Sequence, residues 1–145
     1  LHACDTATDQ AIALGLREKA DLIAVAPCCQ ADLARRWATL AGEHRAGPLA
    51  PIWHSPHLRR EAAATITDSM RMLLLRGAGY EVTALEFVPS THTPKNTLLR
   101  AVRRGNYLRE ALDEYRALRA ACGDQAIALE DLLPPEHRAR LEAGA

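Results

Sequence analysis

Neither Gly-x-Gly-x-x-Gly nor Gly-x-x-x-x-Gly-Lys occurs in these 145 residues, so the sequence holds no glycine loop of the kind that cradles a dinucleotide or a triphosphate. Charge of one sign is not in excess either. Eighteen basic residues stand against eighteen acidic ones, which excludes a strongly basic nucleic-acid platform but leaves room for a local basic patch. Lysine is scarce, with two against sixteen arginines, and alanine is abundant, a bias that points to a GC-rich bacterial coding sequence. No apolar run approaches the roughly 18 residues a membrane span needs, and no charged-then-apolar leader opens the chain. Cys-x-x-Cys spacing is absent. Four cysteines, two of them adjacent at Cys28 and Cys29, do not make a secreted disulfide framework, so a reducing cytoplasm is the expected compartment. The sequence begins at Leu1 without a methionine, and the expectation is that further polypeptide precedes it.

What is present suits one soluble domain: 48% hydrophobic and 25% charged residues. Leu1 to Asp5 reads as the end of a strand. Thr6 then fits a helix cap, with Asp9 three residues on as its capping-box partner, and Ile12, Leu16 and Ala20 recur on one face. Leu22 to Ala26 is an unbroken apolar run stopped by Pro27, which predicts a strand buried on both faces in a parallel βαβ unit. Leu33, Trp37 and Leu40 mark a helix over 31–41. Ser55-Pro56 opens a longer helix to about Arg76, with Ile66, Met70, Leu73 and Leu74 inward and Gly77 and Gly79 as its stop. Strands over 80–88 and 97–103 are joined by too few residues for a crossover helix, so they should pair antiparallel. A helix from Leu108 toward Gly123 and a tail with one short helix complete an open α/β fold.

In such a sheet, ligands bind at the carboxyl ends of strands. The chemistry-bearing residues collect there: His2, Ala3, Cys4 and Asp5 after the first strand, Cys28, Cys29 and Gln30 after the second, and His92, Lys95 and Asn96 after the third. Strand-end packing accounts for the cysteines equally well. Zinc held by Cys4, Cys28, Cys29 and His2 is disfavoured, because adjacent cysteines face opposite ways on an extended chain. Asp68 and Arg71, three residues apart on the long helix, read as a surface ion pair worth a few tenths of a kcal/mol. Arg100, Arg103, Arg104 and Arg109 read as a solvated sheet edge.

The ordered motifs His2-x-Cys4-Asp5-x-Ala7-Thr8-Asp9, Pro27-Cys28-Cys29-Gln30, Thr67-Asp68-x-x-Arg71, Glu86-Phe87-Val88 and His92-Thr93-Pro94-Lys95-Asn96 resemble a branch of the class I S-adenosylmethionine-dependent methyltransferases, over roughly residues 1–120. The first two are also similar to segments of eukaryotic tRNA 2′-O-methyltransferases, but Asp5 stands for glycine and Gln30 for histidine, so that substrate is not carried over. The resemblance implies the carboxyl-terminal half of a Rossmann-like sheet, strands four to seven with the last antiparallel, in a partial domain over 1–122 followed by a helical tail over 123–145. Strands one to three and their cofactor loop would lie upstream. It further implies S-adenosylmethionine as cofactor, with His2, Ala3 and Cys4 in the cofactor wall. Asp5 would orient or deprotonate the acceptor, and Cys28 is the alternative, as a thiolate attacking a pyrimidine ring. Cys29, Gln30, His92, Lys95 and Asn96 would contact the acceptor, for which RNA is the leading class. No resident metal and no membrane partner are implied. A non-catalytic binding module of the same fold, or a thiol or metal protein, are the competing readings.

Overall fold

The structure, a computed structural model, describes residues 4–28, 30–89, 91 and 96–143, and for Cys4 and Asp5 the backbone only. Its elements run α1 (Cys4–Arg17), β1 (Leu22–Val25), α2 (Ala31–Gly42), α3 (Ala50–Trp53), α4 (Pro56–Gly77), β2 (Tyr80–Glu86), β3 (Thr97–Arg103), α5 (Arg109–Ala121), α6 (Ala128–Leu132) and α7 (Pro135–Glu142). The three strands form one sheet in the order β1-β3-β2, with β3 antiparallel to both neighbours. The expected hairpin is therefore present: Tyr80 lies opposite Arg103 and Glu86 opposite Thr97. Since Leu22 faces Val102 and Val25 faces Leu99, β1 and β2 point the same way on either side of β3.

The inward period predicted for the long helix holds. Met70, Leu74 and Leu75 of α4 are buried, and α4 packs on the sheet, on α2 and on α5. On the far side of α2, the rings of Trp37 and Trp53 lie 6.1 Å apart, and the Trp37 indole N–H donates to the Cys122 carbonyl at 3.0 Å. This satisfies a polar atom that burial would otherwise penalise. α1 sits directly on β1: a Cβ at Gly15 would come within 2.8 Å of the Ile23 side chain, so only a glycine lets the helix approach this closely.

Several expectations need correction. Cys4 and Asp5 are not the end of a strand but the first turn of α1, which places Thr6 inside the helix and removes its capping role; residues 1–3 lie outside the described part. The Asp9 carboxylate, freed from capping, turns inward to Arg71. β1 is not buried on both faces, because Ile23 is 6% exposed whereas Leu22 is 54% exposed. The reason is topological: β1 is an edge strand of the described sheet, and α1 covers one of its faces. Finally, the tail forms two helices, α6 and α7, which bury Leu129 and Leu141 in the common core. The short α3, in a stretch read as loop, carries the fully buried Trp53.

Candidate functional site

The register brings the carboxyl ends of β1 and β2 and the start of β3 to one end of the sheet, since Val25, Leu99 and Ala84 lie side by side. At that end four polar side chains from three segments form a buried chain. Arg71, 1% exposed on α4, grips the Asp9 carboxylate of α1 with two parallel hydrogen bonds, Nε to Oδ1 at 2.8 Å and Nη2 to Oδ2 at 2.9 Å. Its Nη1 donates to Asp68 Oδ1 at 2.9 Å, and the other Asp68 oxygen accepts from the Gln30 amide at 2.9 Å. The forked guanidinium geometry suits this double grip, which a lysine could not reproduce. The pair read from sequence as a surface contact is thus the centre of a buried cluster joining α1, α4 and the residue that opens α2.

Its electrostatics follow from burial. Desolvation pushes the Asp68 carboxyl above its ordinary pKa; the Arg71 bonds and the Gln30 amide work against this, and the Asp9 charge reinforces it. Burial acts to lower the Arg71 pKa, but the hydrogen bonds and charges of Asp9 and Asp68 outweigh it and raise the value. A permanently charged guanidinium therefore holds two carboxylates in the interior. The Thr67 hydroxyl and the Gln30 carbonyl oxygen are buried beside it with no hydrogen-bond partner among the described residues.

Two openings flank Gln30. A cleft of about 310 Å³ lies against the strand ends, bordered by Pro27, Glu61, Asp68, Ser69 and Thr97. A groove of about 380 Å³ runs between α2 and α4, with Cys28 at its margin and Arg35, Arg59 and Arg60 on its sides. Gln30 and Ala64 border both.

The predicted site residues fall as follows. Gln30 is 8% exposed and belongs to the cluster. Cys28 is exposed at the groove. The Asn96 amide donates to Glu86 Oε1 at 2.6 Å and to the Val88 carbonyl at 2.9 Å, tying together the two arms of the β2–β3 connection at the same sheet end. Cys4 and Asp5 lie in the first turn of α1. His2, Ala3, Cys29, His92 and Lys95 lie outside the described residues, as do the side chains of Cys4 and Asp5. Sequence reasoning paired Asp68 with Arg71 but missed Asp9 and Gln30 as their partners and the burial of the pair. The signal was available: Thr67, Met70, Arg71 and Leu74 share one helical face, so an inward Met70 and Leu74 also turn Arg71 inward.

Other candidates resolve into structure. Arg103 pairs with Asp21 and Arg104 with Glu81, all exposed, which is the solvated sheet edge expected. Cys122 is wholly buried, and burial pushes its thiol up to about 11. Among the described residues no three His, Cys, Asp or Glu side chains gather as a metal ion would require, and no helix is long and apolar enough to cross a membrane.

Neither the curated proteins nor the solved structures returned a match. A family model described as a methyltransferase domain matches residues 1–36, the segment that carries α1, β1, Asp9, Cys28 and Gln30.

Proposed function

We propose that the chain supplies the strand-five-to-seven part of an S-adenosylmethionine-dependent methyltransferase, acting on an acceptor for which RNA is the leading class. The match of residues 1–36 to a methyltransferase domain carries this reading. Strand direction supports it: β3 runs against both β1 and β2, as the last strand of such a sheet should if the three correspond to strands seven, five and six.

When bound, S-adenosylmethionine supplies an electrophilic methyl group on a sulfonium. The described cleft suits that charge, since Glu61 and Asp68 border it and no described basic residue does. In-line displacement at that methyl group would depend largely on how the chain's residues position the acceptor. Asp5, in the first turn of α1, is assigned to orient the acceptor or take its proton. Cys28 is the alternative, as a nucleophile that activates carbon five of a pyrimidine. His2, Ala3 and Cys4 are assigned to the cofactor wall, and Cys29, Gln30, His92, Lys95 and Asn96 to the acceptor.

Labelled-methyl transfer to total RNA by the full-length gene product tests this. Asp5→Asn should lower kcat by about 10²–10⁴-fold if Asp5 is the base. Cys28→Ser should abolish transfer if the thiol is the nucleophile. Full activity in both variants, or no transfer by the wild type, would overturn the assignment.

A further inference from the structure

The groove between α2 and α4 carries three arginines that the methyl-transfer reading does not use. Its floor is small and apolar, made by Ala34 and Ala38 of α2 and Ala64 of α4, and its sides carry Arg35, Arg59 and Arg60. No acidic residue lines it among the described residues, in a chain whose basic and acidic residues are equal in number. Arg60 is exposed. Arg59 is half-buried and held in place by donating from Nη1 to the Trp53 carbonyl at 2.7 Å, which sets its guanidinium at the groove. Arg35 forms a long contact of 3.4 Å to Asp32 and stays 64% exposed. The first turn of the 12-residue α2 also opens here through Ala31, adding the positive end of a helix.

We propose that this groove binds one strand of nucleic acid through its phosphodiesters. Three guanidiniums over an apolar floor match a chain of negative charges joined by sugars with apolar faces. A concave channel between two packed helices admits a single strand rather than a duplex. No described aromatic residue lines the groove, so charge rather than base stacking dominates, and binding is strongly salt-dependent and indifferent to sequence. Because Gln30 and Ala64 border both openings, a strand lying in the groove runs into the cleft at the strand ends. The proposal rests on the methyltransferase reading only in giving its acceptor a track. The groove's chemistry stands without it.

Fluorescence anisotropy of a labelled single-stranded 12-nucleotide RNA, titrated with the 145-residue chain and no cofactor, tests the groove alone. Neutralising three phosphates on a single strand predicts a log–log salt slope of about −2, a loss of about 20-fold in affinity from 50 to 200 mM salt. The double variant Arg59→Ala with Arg60→Ala should bind at least tenfold more weakly, with a slope shallower by about 1.4. Arg60→Glu, at an exposed position that leaves the Arg59–Trp53 contact intact, should do the same if the double variant unfolds. Arg45→Ala, an exposed control outside the groove, should bind as the wild type does.

Absence of wild-type binding at 50 mM salt would overturn the proposal, as would wild-type affinity in Arg60→Glu or an equal loss in Arg45→Ala. Tighter binding of polyglutamate or of a phosphopeptide than of the RNA at matched charge would also overturn it, showing a carboxylate or phosphoprotein surface instead. With no cofactor in the assay, its failure leaves methyl transfer standing, and failed methyl transfer leaves the groove standing.

Discussion

Arg71 shows how a single side chain can organise a site without touching a substrate. It joins residues 62 positions apart, Asp9 and Arg71, and through Asp68 it fixes Gln30 at the opening of α2. Removing the guanidinium leaves two carboxylates buried with no cation between them, and breaking a buried pair in this way costs about 3–5 kcal/mol. Arg71→Met is therefore expected to lower stability by that amount in urea unfolding at neutral pH, and a loss below about 1 kcal/mol would mean that the carboxylates find water instead. Periodicity located this residue on α4 but read it, with Asp68, as a surface pair, whereas it is buried. It did not supply Asp9, because a partner on another helix is set by tertiary packing and leaves no local trace in the spacing of Asp68 and Arg71.

Among the elements, those with a strong period or a clear stop were legible: α2 from Leu33, Trp37 and Leu40, α4 from Met70 and Leu74 with Gly77 and Gly79 behind it, and the β2–β3 hairpin from its short connection. The start of α1 was not, since Thr6 and Asp9 satisfy a capping pattern that inward packing of Asp9 overrides. The four-residue α3 was also missed, because one turn has no period to read.

At the end of α5 the chain turns at Gly123 with φ +74°, and a Cβ there would lie 2.7 Å from Leu40 Cδ1 and 3.0 Å from the Trp53 ring. Backbone strain and overpacking together predict that Gly123→Ala loses about 2–4 kcal/mol, read from the urea midpoint.

The α7 helix carries a pH dependence. Burial lowers the His137 pKa below 6.5, with Arg140 and Lys19 adding to the effect and Glu136 opposing it. Since an arginine only donates, Arg140 Nη1 at 3.3 Å makes His137 Nδ1 the acceptor and the ring neutral. The unfolded chain protonates first as pH falls. His137 thus contributes stability that is complete above 6.5 and lost as pH drops through its lower folded value. His137→Gln should flatten stability just below pH 6.5, and an unchanged profile would show that the ring is solvated.

For the whole molecule, the described sheet end holds Cys28, Gln30 and Asn96 of the residues that strand order placed there, together with groups it did not. The cluster of Asp9, Arg71, Asp68 and Gln30, the cleft beside it and the groove next to Cys28 all meet at the carboxyl ends of β1 and β2. Sequence order predicted the shared direction of β1 and β2, which their common antiparallel pairing to β3 shows. It could not predict the division into an acid-bordered cleft and an arginine-lined groove. That division depends on how α2 and α4 pack, which places Arg35 beside Arg59 and Arg60 although they are distant in the chain. The most direct test of methyl transfer as the activity is calorimetric titration of the full-length gene product with S-adenosylmethionine. One-to-one saturable binding is the predicted result. A folded full-length protein that releases no heat with the cofactor would contradict it.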